Sequence, residues 1–314
     1  MQVLVLAGGL SAERDVSLRS GRRVAEALRA ARPDWQVLER DVDAALLDEL
    51  AADAPDCVVP LLHGSAGEDG AVRDVLECLD LPYVGSRAAA SRLAFDKPVA
   101  KTLVRRAGIA TPDAVALPHA TFRELGAPGV MAALERGIGF PLVVKPARGG
   151  SALGVSIVRT REELPAAMVG AFAYGEVAML ERFIGGTEVA IGVVETADGP
   201  VALPAVEIAP DGGFYDYAAR YTAGTTEFHV PARLDASVAE AAAAGAVTAH
   251  TTLGLRDWSR SDLIIDGDGT PWFLEANVAP GMTETSLVPQ ALVAAGIDMG
   301  GQMADLVERA MKRV

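Results

Sequence analysis

Residues 261–277, SDLIIDGDGTPWFLEAN, constrain the fold more than any other stretch of the chain. Two apolar runs flank a DGDG turn, which reads as an antiparallel hairpin. Pairing Ile264 with Phe273 across the turn sets Asp262 opposite Glu275 on one face, with Asn277 the next residue along that face. The cross-strand spacing is about 5 Å. Two carboxylates that close repel unless a cation lies between them, and hard oxygen ligands suit Mg²⁺ held jointly with substrate phosphates. The alternative, a solvated strand face, fits badly beside Leu263, Ile265, Leu274 and Ala276, all apolar.

The rest of the chain reads as three lobes. QVLVLAG (2–8) is a buried strand followed by a polar, glycine-led loop in which Ser17 reads as a helix N-cap. Leu18, Gly21, Ala25 and Leu28 then fall on one helical stripe. DCVVPLLHG (56–64), the loop GEDG, the helix AVRDVLECL and a third short strand, LPYVGS, complete an α/β lobe with a parallel sheet over residues 1–94. A second lobe, 95–184, begins near SRLAFDKPVAKTLVRRAG, read as one helix ended by Gly108, and continues through FPLVVKPARGGSALGVSIV and VAMLERFIGG, strands joined by glycine-rich turns. The third, 185–314, opens with TEVAIGVVE, a strand with alternating faces. The aperiodic segment 208–231 then reads as a functional lid. An Ala-rich helix (235–253) and the hairpin follow.

PLVVKPARGGSALG offers phosphates a lysine at a strand end and a loop where Gly149, Gly150, Ser151 and Gly154 let backbone N–H groups approach anionic oxygens. It is not GxxxxGK[ST], and a simple flexible turn is the alternative. Lys97 and Lys145 in the same lobe strengthen the phosphate reading. Glu181 and Glu188 flank the Gly-Gly hinge, as ribose and adenine contacts or as exposed hinge charges. VLVLAGGLSAER lacks GxGxxG and the later acid, which argues against a dinucleotide-binding fold. The net charge of −14 argues against a nucleic acid partner. No apolar run approaches the roughly 20 residues that span a bilayer, and no signal peptide is read at the N-terminus, so cytoplasmic is the expected location. Cys57 and Cys78 have no metal-ligand spacing and read as inert buried thiols.

Taken together, AGGLSAERDVSLRSG (7–21), LLHGSAGEDG (61–70), PYVGS (82–86), the DK at 96–97, PLVVKPARGGSALGV, ERFIGGTEVAIGV, FYDYAARY (214–221) and LEANVAPGMTETSLVP resemble, in order and spacing, the D-alanine–D-alanine ligases of the ATP-grasp superfamily. The resemblance implies an α/β ATP-grasp fold whose second and third lobes clamp ATP. It implies an ATP-dependent ligase that phosphorylates the carboxylate of one D-alanine and lets the amine of a second attack the acylphosphate, for peptidoglycan precursor synthesis. A relative using another D-amino acid or D-hydroxy acid acceptor is the alternative. By the same resemblance Asp262, Glu275 and Asn277 hold two Mg²⁺ or Mn²⁺ ions. Lys97, Lys145 and Ser151 serve the nucleotide phosphates, and Glu181 and Glu188 its adenine and ribose. Arg260 and the Gly281 N–H stabilise the oxyanion. Ser286 and Leu287 receive the carboxylate of the second substrate. Glu13 holds the ammonium of the first and His63 lies near its carboxylate, while Glu13, Ser151 and Tyr221 close the lid. A homodimer is expected. The chain departs from the family pattern at Gly149, where an acid is common, at Ala152 for a serine, and at Arg220 for a lysine.

Overall fold

The computed structural model describes residues 1–212, 215, 220 and 224–313. In the N-terminal part β1 (Gln2–Leu6) lies between β2 (Gln36–Arg40) and β3 (Cys57–Pro60), all parallel. VLVL of β1 is buried on both faces. Val24, Ala25 and Leu28 of the helix Arg14–Ala31 cover one side, and Leu46 and Leu50 of the helix Leu46–Ala52 cover the other. Each buried aliphatic side chain contributes about 1.5–3 kcal/mol. Two expectations need correction here. LPYVGS forms no full strand but a single parallel bridge, Val58 to Tyr83. Ser17 is not the N-cap: Glu13 is, and Ser17 lies inside the first helical turn. Its buried hydroxyl accepts from the Gly8 N–H and donates to the Leu61 carbonyl, both at 2.7 Å, tying the glycine loop to the end of β3.

Between the lobes the expected single helix is two, Ala88–Phe95 and Lys97–Arg106. Asp96 breaks it by leaving helical geometry and capping the Val99 N–H at 3.2 Å, with Pro98 in the new first turn. The second sheet is antiparallel. It comprises β4 (Ala114–Pro118), β5 (Leu142–Pro146), β6 (Ser156–Val158) and β7 (Val177–Arg182), in the order β4-β7-β5-β6.

The third sheet holds β8 (Thr187–Thr196), β9 (Gly199–Ala202), β10 (Val206–Pro210), β11 (Thr226–His229), β12 (Trp258–Ile265) and β13 (Pro271–Asn277). Their order is β11-β10-β8-β12-β13, with β9 on β8. The faces of β8 alternate as expected, and both are covered, so residues 189–194 are all buried. Val189, Ile191 and Val193 pack under the Ala-rich helix Ala236–Thr252, while Ala190 and Val194 face Leu203 and Val288. The aperiodic segment is partly ordered as sheet: β10 and β11 pair antiparallel, Glu207 to Pro210 against His229 to Thr226. The final helix, Met299–Met311, returns to the N-terminal sheet and packs Met303, Leu306 and Val307 with Leu28 and Val59. Gly300 permits that approach, since a Cβ there would lie 2.6 Å from the Ala27 carbonyl oxygen.

Cys57 is buried as expected, and burial pushes its thiol up to about 12. Cys78 is exposed, correcting the expectation, because Arg73 and Leu76 take the inward face of the helix Ala71–Cys78. No helix among the described residues is long and apolar enough to cross a membrane.

Candidate active site

The hairpin delivers its carboxylates as expected, by a different register. Asp262 does face Glu275, but Leu263 pairs with Phe273 and Ile264 with Trp272, because a β-bulge follows Asp262. The bulge leaves Leu274 as the extra residue. Ile264 and Leu274 both line a cavity of about 370 Å³, while Phe273 is buried on the other side of the sheet.

That cavity lies between the second and third sheets, a size within the range of small-molecule sites. Val143, Ile157, Phe183, Ile184, Ile264 and Leu274 supply apolar walls. Lys97, Lys145, Glu181, Glu188 and Glu275 supply charge. Lys97 donates to the Gly149 carbonyl at 2.6 Å and pairs with Glu275 at 3.0 Å, so it joins the glycine loop to the hairpin. Gly149 has φ +132, a conformation that an acid at this position would adopt only under strain. Ser151 and Ala152 also have positive φ, and the Ser151 hydroxyl is bonded to Glu13.

Glu181 lines the cavity but both its oxygens are engaged by cations: Oε1 by Lys145 at 2.6 Å and Oε2 by Lys101. Burial raises the Glu181 carboxyl, yet Lys145 and Lys101 outweigh it and hold the group below its ordinary value. Burial brings Lys101 down to about 8 against the pull of Glu181, with the charge of Lys145 adding to the fall. Lys101 was missed from sequence, although it stands four residues after Lys97 on the same helix face, which was the available signal. Glu188 is raised to about 7, first by burial and then by the charges of Asp262 and Glu275, with Arg220 opposing.

A second cavity, about 110 Å³, adjoins the N-terminal lobe. It is reached by Glu13, His63, Glu68, Ser151, Arg260 and Gly281, and also by Ser286 and Leu287. Glu275, Tyr215 and Arg220 line both cavities. Glu13 sits so tightly that a Cβ on Gly64 or Gly150 would lie 2.7 or 3.2 Å from its Oε2. Glu68, missed from sequence inside the GEDG loop, is buried and raised to about 8, by burial first and the charge of Glu13 second. A Cβ on Gly281 would lie 2.8 Å from the Ser286 hydroxyl, which is fixed by the Thr283 N–H at 3.0 Å. Arg220 lies over the Tyr215 ring, 4.3 Å from its centroid. His63 has both ring nitrogens bonded to protein groups. Tyr221, expected in the lid, lies outside the described residues.

The residues assigned to metal fit hard-cation chemistry. Arg260 grips Asp262 through Nε and Nη2, both at 2.7 Å, and the Asn277 amide donates to Asp262 at 3.3 Å. Burial opposes charge on Glu275, but Lys97 and Lys145 hold it down to about 2. Burial likewise opposes charge on Arg260, and Asp262 outweighs it, so its pKa is raised. Glu275 therefore stays ionised, its charge balanced by Lys97 and Lys145. Among the described residues no three His, Cys, Asp or Glu side chains cluster as a self-sufficient metal cage. Two carboxylates and one amide oxygen form an incomplete set of the type that Mg²⁺ completes with phosphates and water.

The sequence and fold match known proteins along nearly the whole chain. A family model described as D-ala D-ala ligase C-terminus matches residues 103–309. A D-alanine–D-alanine ligase of Anaeromyxobacter sp. (strain K) is 42% identical over 308 residues, covering 98% of this chain and 95% of that protein. One from Moorella thermoacetica is 40% identical, covering 99% and 100%. Among solved structures, the VanG D-Ala:D-Ser ligase of Enterococcus faecalis is similar with a TM-score of 0.85 at 28% identity, over 98% of this chain and 99% of that one. The Bacillus anthracis D-alanine–D-alanine ligase complexed with ATP gives 0.82 at 28%, over 100% and 98%.

Proposed function

The chain belongs to the D-alanine–D-alanine ligase family, and on that premise we propose that it joins two D-alanines into D-alanyl-D-alanine with conversion of ATP to ADP and phosphate. The observation that carries this reading is the meeting of the two cavities at Glu275, Tyr215 and Arg220. ATP in the larger one and amino acids in the smaller would bring a γ-phosphate and a carboxylate together there.

A carboxylate oxygen of the first D-alanine attacks the γ-phosphorus, and the bond to the ADP oxygen breaks. The amine of the second D-alanine then attacks the acyl carbon, the C–N bond forms and the carbonyl electrons move to oxygen. Collapse expels phosphate, and the amine proton leaves. Lys97 and Lys145 hold phosphates; Glu181 fixes Lys145, and Glu188 meets the ribose side. The apolar walls suit the adenine. Glu13 takes the first ammonium, and Ser286 with Leu287 the second carboxylate. Arg260 and the Gly281 N–H, which both reach the smaller cavity, stabilise the oxyanion. Asp262, Glu275 and Asn277 would hold Mg²⁺ or Mn²⁺, which when bound neutralises charge on the phosphates. The Glu13–Ser151 contact holds the glycine loop over the site and excludes water that would hydrolyse an acylphosphate.

The test is ADP release with Mg-ATP and D-alanine alone, then with D-lactate, D-serine or other D-amino acids added, with products identified by mass spectrometry. The expected result is D-alanyl-D-alanine from D-alanine alone. Faster formation of a mixed product with another acceptor would overturn the acceptor assignment, and absence of any turnover would overturn the ligase reading.

A further inference from the structure

The segment that carries Gly281 does not hold itself in place. His63, just beyond β3, bonds through Nδ1 to the Ala279 carbonyl oxygen at 2.9 Å. A carbonyl only accepts, so Nδ1 carries the proton. Burial lowers His63 to about 4, so the ring is neutral at pH 7 and Nε2 is an acceptor. Its partner at 3.2 Å is the Ser20 hydroxyl, which therefore donates to it. The same Ser20 oxygen accepts the Met282 N–H at 3.0 Å. The chain of bonds thus runs Met282 N–H to Ser20, Ser20 to His63, and His63 to Ala279. It closes on the two residues that bracket Pro280-Gly281. Arg23, one turn after Ser20 on the same helix, donates to the Met282 and Thr283 carbonyls at 3.1 and 2.6 Å. Ser20 is fully buried and His63 nearly so.

We propose that Ser20 and His63 are positioning residues for the ligase reaction, a clamp from the N-terminal lobe that sets where the Gly281 N–H points. The proposal rests on the reading of Gly281 as an oxyanion donor. It gives His63 a different task from direct contact with the first D-alanine: its two ring nitrogens are already satisfied by protein groups, and Ser20 does not line either cavity. The clamp acts on the second chemical step. The oxyanion develops when the amine attacks the acyl carbon, whereas phosphorylation of the carboxylate develops no such charge. A displaced donor therefore leaves acylphosphate formation intact and slows its consumption. The stranded acylphosphate meets water, and hydrolysis returns D-alanine and phosphate.

The experiment compares wild type with Ser20→Ala, His63→Leu and His63→Asn, measuring ADP and dipeptide separately in steady state, with thermal unfolding as the folding check. Wild type should form ADP and dipeptide in a ratio of one. Ser20→Ala and His63→Leu should lower kcat for dipeptide by roughly 10- to 100-fold, the cost of a misplaced group of this kind. Both should raise the ADP-to-dipeptide ratio above one and leave KM for ATP and for the first D-alanine unchanged. His63→Asn, whose amide can donate to Ala279 from the place of Nδ1, should recover part of the loss. A ratio of one and wild-type kcat in Ser20→Ala would overturn the proposal. So would a raised KM for the first D-alanine in the His63 variants alone, which would mark direct substrate contact. Failure of the wild type to make any dipeptide would instead refute the ligase reading.

Discussion

Gly281→Ala tests the geometry of the acceptor end of the site. The added Cβ would lie 2.8 Å from the Ser286 Oγ and 3.6 Å from its Cβ. The second distance is ordinary contact; the first is not, so the hydroxyl is the atom that must move. Gly281 is outside the left-handed region, so backbone strain adds nothing. Ser286 is fixed by the Thr283 N–H at 3.0 Å and by the Thr283 hydroxyl at 2.8 Å. Rotating it away breaks both bonds, at about 1 kcal/mol each. The expected destabilisation is therefore about 2 kcal/mol, read by thermal or urea unfolding.

The functional consequence separates two ways of relieving the clash. If Ser286 gives way, the turn and its N–H stay, and the loss falls on the second D-alanine. One hydrogen bond to a carboxylate contributes roughly 1.5–3 kcal/mol, so KM for the second D-alanine rises roughly 10- to 100-fold with little change in kcat. If the turn gives way, kcat falls by the roughly 10²–10³-fold typical of a lost oxyanion donor. The pinned but single-atom Ser286 hydroxyl is the softer partner, because the turn is bonded from the other side by Ser20, His63 and Arg23. The first outcome is expected. The KM-against-kcat split decides between them, and the double variant Gly281→Ala, Ser286→Ala tests the clash itself, since removing the hydroxyl removes it. Adding Ser286→Ala to Gly281→Ala should cost less stability than it does in wild type, a non-additivity expected of groups in contact. Strict additivity of the two substitutions would refute the reasoning.

Two further perturbations follow from the buried charges. Glu181→Gln should destabilise the protein more than Lys101→Met: the first leaves two buried ammonium groups facing each other, costing about 3–5 kcal/mol, while the second leaves a simple Lys145–Glu181 pair. Urea unfolding checks the order, and a costlier Lys101→Met would reverse the reading. Glu68, raised from 4.5 to about 8, contributes stability that is fully present below about pH 4.5 and is lost as pH rises through 8. Glu68→Gln should therefore unfold at progressively higher temperature relative to wild type between pH 5 and 8, and a constant difference across that range would show that Glu68 does not titrate there.

What the sequence made legible is what repeats locally. The period of two put Asp262 and Glu275 on one face, and the observed strands do pair them. The one-residue bulge that follows Asp262 left no local mark. Its consequence, Leu274 in the larger cavity, was lost with it. The break at Asp96 was written in the Asp-Lys-Pro triplet, an N-cap followed by proline, inside a stretch read as one helix. Partners brought together by topology were illegible for a different reason. His63 meets Ser20 across 43 residues and Ala279 across 216, and Lys101 meets Glu181 across 80. The Lys97–Lys101 spacing marked a shared helix face but not its partner, and only the fold says whether such a residue faces substrate, solvent or another side chain. His63 and Glu181, first read as ligands, have their polar atoms bonded to protein groups, and on the proposals above their effect on the reaction would run through Gly281 and Lys145, the groups they hold.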